Sequence, residues 1–315
     1  MPGATINKSF SSAGQVREVV DRIRRVPDSS RRFSESISTA ARIHRVGPDL
    51  LTQLLDQGLP HRGSGPARMF DSLDLSNVGL ALALRCPRWM AMRWWSKALT
   101  QLVPDHEVRN LMNISSSCPS PGHAGDCHFV VHPRLVAATQ PASFRELGPG
   151  LFGFEVRLAS KHWFFGDPFT ALIDRLLPLQ FHLLAYPLNT DLGFLAETGL
   201  ANCELAAAYL VSQGRELGLP VRISAGYFVA RPYAAVHIWT EFRVGDRWLP
   251  ADPLLLNALA RWNVVDARVW PPNRAPQGLL WPVHDRAIEL MTHRDHDGLL
   301  APTVTVVDQQ LLPIG

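Results

Sequence analysis

Cys203, His237 and Asp252 are the side chains whose types and order could do covalent chemistry. A thiol becomes a strong nucleophile when a base can take its proton. An imidazole is the usual base, and a carboxylate can orient it and stabilise its cation. Cys203 follows Asn202, a natural N-cap, and stands at the head of a run without proline from Glu204 to Leu217. Gly218 and Pro220 end that run, so the spacing predicts a helix of about four turns with Cys203 at its first position. Unsatisfied N–H groups and the helix dipole favour a thiolate there. His237 lies 34 residues after Cys203, and Asp252 a further 15.

The elements that must position these groups read as a helix followed by three strands. Val221, Ile223, Ala225, Tyr227 and Val229 alternate, which predicts a strand in which Gly226 allows close backbone approach. A turn at Arg231-Pro232 leads to a second strand, Val236 to Val244. One of its faces carries Val236, Ile238, Thr240, Phe242 and Val244 and is expected to look into the core; the other carries His237, Trp239 and Glu241. Gly245-Asp246 signals a hairpin into Arg247–Ala251. With a two-residue loop at those positions, His237 and Asp252 share a face as a diagonal pair within side-chain reach. A loop at Val244-Gly245 would set them directly opposite, about 5 Å apart at Cβ. An odd loop would send them to opposite faces.

The pattern Gly199-x3-Cys203-x3-Ala207, Gly218-Leu-Pro-Val-Arg222, Gly226-Tyr227, His237-x-Trp239-x-Glu241 and Trp248-x3-Asp252-Pro253 resembles the core of the transglutaminase-like superfamily. The resemblance implies an α+β, papain-like fold, in which a catalytic helix packs on an antiparallel sheet. It implies chemistry through a cysteine thioester, with Cys203 as nucleophile, His237 as base and Asp252 as its orienting partner. Members crosslink proteins, cleave peptides, remove N-glycans or form amides in natural-product assembly lines. The oxyanion hole of the superfamily combines the backbone N–H of the nucleophile with one upstream side chain, for which Gln180 and Trp163 are candidates. Trp239 is expected to form a wall beside the imidazole, and Glu241 to be an ion-pair partner.

The expected reaction is amide formation through an acyl-enzyme on Cys203. The alternatives are a cysteine peptidase or amidase that uses water as acceptor, and a binding module that has lost catalysis. Elsewhere, Cys118, His123, Cys127, His128 and His132 form a cluster that could hold zinc, yet no CxxC pair is present. Adjacent Cys127 and His128 cannot easily bind one tetrahedral ion. Loop thiols and surface histidines are the expected reading, with no metal or other cofactor. His293 to His296 reads as a solvated turn, and no acidic cluster argues for calcium.

Over the whole chain, 315 residues with 46% hydrophobic and 19% charged side chains exclude disorder as the main description. Four cysteines are too few for a disulfide scaffold. The apolar runs are too short to span a membrane, and residues 1–14 lack the apolar segment of a signal peptide, so a cytoplasmic protein is expected. Residues 1–112 read as a helical, basic region, 113–150 as a loop-rich connector with a strand at Phe129–Val131, and 151–315 as the catalytic domain. The proline-rich stretch 271–282 is expected to be irregular. A net charge of +3 conceals an asymmetry, because the first hundred residues hold 15 basic and 8 acidic side chains. That excess reads as a solvated face or as a docking face for an acidic acyl or peptidyl carrier protein; nucleic acid fits it poorly.

Overall fold

The computed structural model describes residues 12–123, 125–294 and 300–313. Most of the polar start and His296 of the expected turn lie outside them. In chain order the elements begin α1 (Ala13–Ile23), β1 (Phe33–Ser36), α2 (Ile37–Arg42), α3 (Pro48–Asp56), β2 (Met69–Asp71), α4 (Ser72–Ala81), α5 (Pro87–Gln101), β3 (His106–Ser115), β4 (Phe129–Val131), α6 (Pro133–Ala137), β5 (Arg145–Gly148) and β6 (Leu151–Ser160). They continue with α7 (Phe169–Asp174), β7 (Gln180–Phe181), α8 (Leu192–Thr198), β8 (Leu200–Ala201), α9 (Cys203–Glu216), β9 (Val221–Phe228), β10 (Tyr233–Val244), β11 (Arg247–Ala251), α10 (Pro253–Arg261), β12 (Leu280–His284), β13 (Met291–His293) and β14 (Thr303–Pro313). No helix among the described residues is long and apolar enough to cross a membrane.

The chain divides into two compact units, residues 1–92 with 182–202 and residues 93–181 with 203–315. These limits differ from the sequence segments at 112 and 150. Position 112 falls inside β3, whose ten residues alternate between buried and half-buried and pair with β6 and β14. β4 is the strand expected at Phe129–Val131, but the proline, glycine and histidine content of 113–150 conceals the end of β3, α6 and β5.

In the first unit, Val16, Val19, Val20 and Ile23 give α1 one buried face. They share a core with Leu51 and Leu54 of α3 and with Leu75 and Val78 of α4. Ser12 and Gln15 form a reciprocal capping box at the start of α1. Asp71 caps α4, accepting from the backbone N–H groups of Leu73 and Asp74. Arg31 is enclosed: its guanidinium donates to Asp74 at 2.7 Å and to the carbonyls of Ile23 and Val26. One charge of the basic first third is therefore internal.

The second unit is built on an antiparallel sheet in the order β12-β9-β10-β14-β3-β6-β5, with β11 also on β10. One edge of β10 pairs with β9 from Ala235 to Phe242. Its other edge meets β14 at Tyr233 and Ala234, then β11 from Thr240 to Val244. The helix α9 packs on β9 and β10, which gives the α+β arrangement of a helix on an antiparallel sheet. Pro282 lies in a strand after all. Its strand, β12, is the edge of the sheet and carries a register irregularity after Pro282, the setting in which a strand tolerates a missing N–H.

Candidate active site

The α9 helix starts at Cys203 and ends where the spacing predicts. Gly218 adopts φ +67°, and the N–H of Leu219 donates to the carbonyl of Gly214 at 2.8 Å, closing the last turn. His237 stands on β10 opposite Gly226 of β9. A Cβ on Gly226 would lie 2.0 Å from the carbonyl oxygen of Trp281 in β12, so only glycine lets the three strands close up beside the imidazole.

The hairpin register is the two-residue form. Val244 pairs with Arg247 and Thr240 with Ala251 across Gly245-Asp246. Extending it by one residue sets Asp252 beside Trp239 and diagonal to His237. His237 Nε2 and Asp252 Oδ2 are 2.5 Å apart, and both residues are buried. The other carboxylate oxygen, Oδ1, accepts from the N–H of Leu255 and makes Asp252 the N-cap of α10, with Pro253 behind it at the first helical position. One carboxylate thus fixes an imidazole and starts a helix. The sulfur of Cys203, one nitrogen of His237 and one carboxylate oxygen of Asp252 all lie within 4.8 Å of one another.

Electrostatics modify one expectation. A helix start favours the thiolate, but burial pushes the Cys203 thiol well above its ordinary range, and the neighbouring Asp252 carboxylate adds to the shift by charge and by hydrogen bonding. Both effects favour the protonated thiol over the thiolate. With Nε2 engaged by Asp252, a proton taken from the thiol would go to the second ring nitrogen, Nδ1.

Trp239 stacks beside His237, with ring centroids 6.1 Å apart and planes 17° from parallel. The wall is larger than the sequence indicates. Trp95 of α5 meets the imidazole edge-on at 5.3 Å, and Phe228 does so at 6.0 Å. Trp95 also stacks on Phe228 at 4.3 Å. The tryptophan-rich stretch is visible in the sequence, but nothing in it says which ring reaches β10. Glu241 is the expected ion-pair partner, 2.6 Å from Arg222, whose guanidinium lies over Trp248. Val236 departs from expectation at 62% exposure, while His237, Trp239 and Glu241 are buried. The face with the polar residues is an inner one.

Trp163 and Gln180 are both half-buried. The indole N–H of Trp163 and the side-chain carbonyl of Gln180 have no hydrogen-bond partner among the described residues, and the same holds for the indole N–H of Trp239. Outside this site, Cys118, His123, Cys127 and His293 come together. His293 is buried, in contrast to the solvated turn expected there.

Residues 185–253 match the family model of the transglutaminase-like superfamily, and they span Cys203, His237 and Asp252. Of the matched residues, 185–202 lie in the first unit and 203–253 in the second. Among solved structures, the chain is similar to a "Putative Cysteine Protease" from Cytophaga hutchinsonii at 11% identity, covering 67% of this chain and 92% of that one with a TM-score of 0.27. No curated protein sequence matches.

Proposed function

We propose that this protein forms amides by acyl transfer through a thioester on Cys203. The observation that carries the reading is the meeting of Cys203, His237 and Asp252 within 4.8 Å behind aromatic walls. In the first half-reaction the Cys203 sulfur attacks the carbonyl carbon of an acyl thioester while its proton passes to His237. The tetrahedral intermediate collapses, the donor thiol leaves with that proton, and the acyl group stays on sulfur. In the second half-reaction an amine attacks the acyl-enzyme and gives its proton to His237. The C–S bond breaks, and the Cys203 sulfur recovers the proton. Asp252 holds the imidazole and stabilises its charged form throughout. Because burial and Asp252 favour the protonated thiol, His237 acts in this reading as a general base during attack.

The donor of this reading is carried by an acidic acyl or peptidyl carrier protein, and the exposed Arg17 of α1, with Arg24 and Arg25 just after that helix, suits such a partner. The test is to supply an acyl thioester with and without a primary amine and to separate amide from free acid. Amide should dominate when amine is present and vanish in Cys203→Ala. Equal release of acid with and without amine would overturn amide formation in favour of a hydrolase.

A further inference from the structure

The four side chains brought together away from this site have the composition of a zinc centre. Three come from one loop between β3 and β4, namely Cys118, His123 and Cys127. The fourth, His293, is the last residue of β13. The short ladder between β4 and β13 delivers it: His293 pairs with Phe129, and the N–H of Arg294 donates to the carbonyl of His128 at 2.9 Å. The loop's end and the strand's end are therefore fastened side by side before any ligand atom is considered.

The donor atoms lie within 4.8 Å of one another. In a tetrahedral site with Zn–S near 2.3 Å and Zn–N near 2.0 Å, neighbouring sulfur and nitrogen ligands stand about 3.5 Å apart. The His123 Nε2 to Cys127 Sγ distance is 3.4 Å, and the Cys118 Sγ to His293 Nε2 distance is 4.0 Å. The two imidazoles are edge-to-face at 5.1 Å, so they approach the shared centre from different directions. His293 is buried against Phe129, and its Nδ1 has no hydrogen-bond partner among the described residues. Burying an imidazole in a loop-rich corner is costly unless something holds it. The histidines left out of the set include His132, which caps α6 by accepting from the N–H of Arg134.

We propose that Cys118, His123, Cys127 and His293 bind one zinc ion that ties the β3–β4 loop to the end of β13. Two thiolates and two imidazoles form a closed set with no position left for water, which makes the centre structural and not catalytic. Binding displaces the protons of the two thiols as the two Zn–S bonds form.

Elemental analysis of protein purified without chelators should find about one zinc per chain. Cys203→Ala should retain it, which separates this centre from the Cys203 site and from the acyl-transfer reading. Cys118→Ser and His293→Ala should each reduce it to less than about a tenth. Should those variants fold poorly, cobalt exchanged into the wild-type protein provides the second reading. It should give thiolate-to-cobalt charge-transfer bands with the intense ligand-field spectrum of a tetrahedral ion. Absence of zinc with Cys118 and Cys127 joined as a disulfide would overturn the proposal. So would zinc retained in both variants, or a cobalt spectrum without thiolate bands.

Discussion

Asp252 serves both its neighbours, and the two services separate by substitution. Asparagine also caps helices, so Asp252→Asn should keep α10 and leave the unfolding free energy within about 0.5 kcal/mol of wild type. It removes the charge that stabilises an imidazolium, and acyl transfer should fall by about two to four orders of magnitude. The thiol responds in the opposite sense. The carboxylate helps to hold the Cys203 thiol above its ordinary range, so its removal should lower that value and raise the thiolate fraction at a given pH. Iodoacetamide should therefore alkylate Cys203 faster in Asp252→Asn than in wild type at pH 8, while turnover is slower. A fall in both rates would mean that Asp252 acts on the thiol in some other way. This balance is not legible in the sequence. A cysteine at a helix start points to thiolate, but enclosure and a carboxylate partner are properties of the folded chain.

At the scale of elements, the helix from Cys203 and the hairpin around Gly245-Asp246 are both readable, because each carries its own stop signal: Gly218 in one case, a two-residue turn in the other. The buried side of β10 is not readable from alternation alone. Both its faces meet other elements along part of their length, and the face with His237 and Glu241 can be internal because those two side chains are paired with Asp252 and Arg222. Pro282 misleads for a related reason, since only the sheet order reveals that β12 is an edge. Gly226 tests this packing. In Gly226→Ala the new methyl group meets backbone and not a flexible side-chain end, so β12 must shift. Thermal or denaturant unfolding should show a loss of about 2–4 kcal/mol. A loss below about 0.5 kcal/mol would mean that β12 does not pack as described.

At the scale of the molecule, composition identifies a folded chain with a basic first third, but not that His182 to Asn202 join the first unit. That return is made partly by Asn77, whose side-chain amide donates to His182 Nε2 and exchanges hydrogen bonds with the backbone of Leu183. A ring nitrogen that accepts cannot carry a proton. Burial first, then Arg22, Arg31 and Arg25, hold the pKa of His182 down to about 3. Below the ordinary value of 6.5 the unfolded chain binds a proton that the folded chain refuses. Stability from this group is thus complete above 6.5 and is lost as pH falls toward 3, at about 1.4 kcal/mol per pH unit. His182→Gln should flatten that acid slope in denaturant titrations; an unchanged slope would place the acid sensitivity elsewhere.

All of the proposed chemistry rests on one bond, the thioester at Cys203. The most direct measurement is the intact mass of the protein after brief exposure to an acyl thioester donor, with the modified peptide located by fragmentation. One acyl group should be found on Cys203, absent from Cys203→Ala and formed far more slowly in His237→Ala. No adduct on the wild-type chain, or acylation that settles on Cys86, Cys118 or Cys127 and survives Cys203→Ala, would contradict the account.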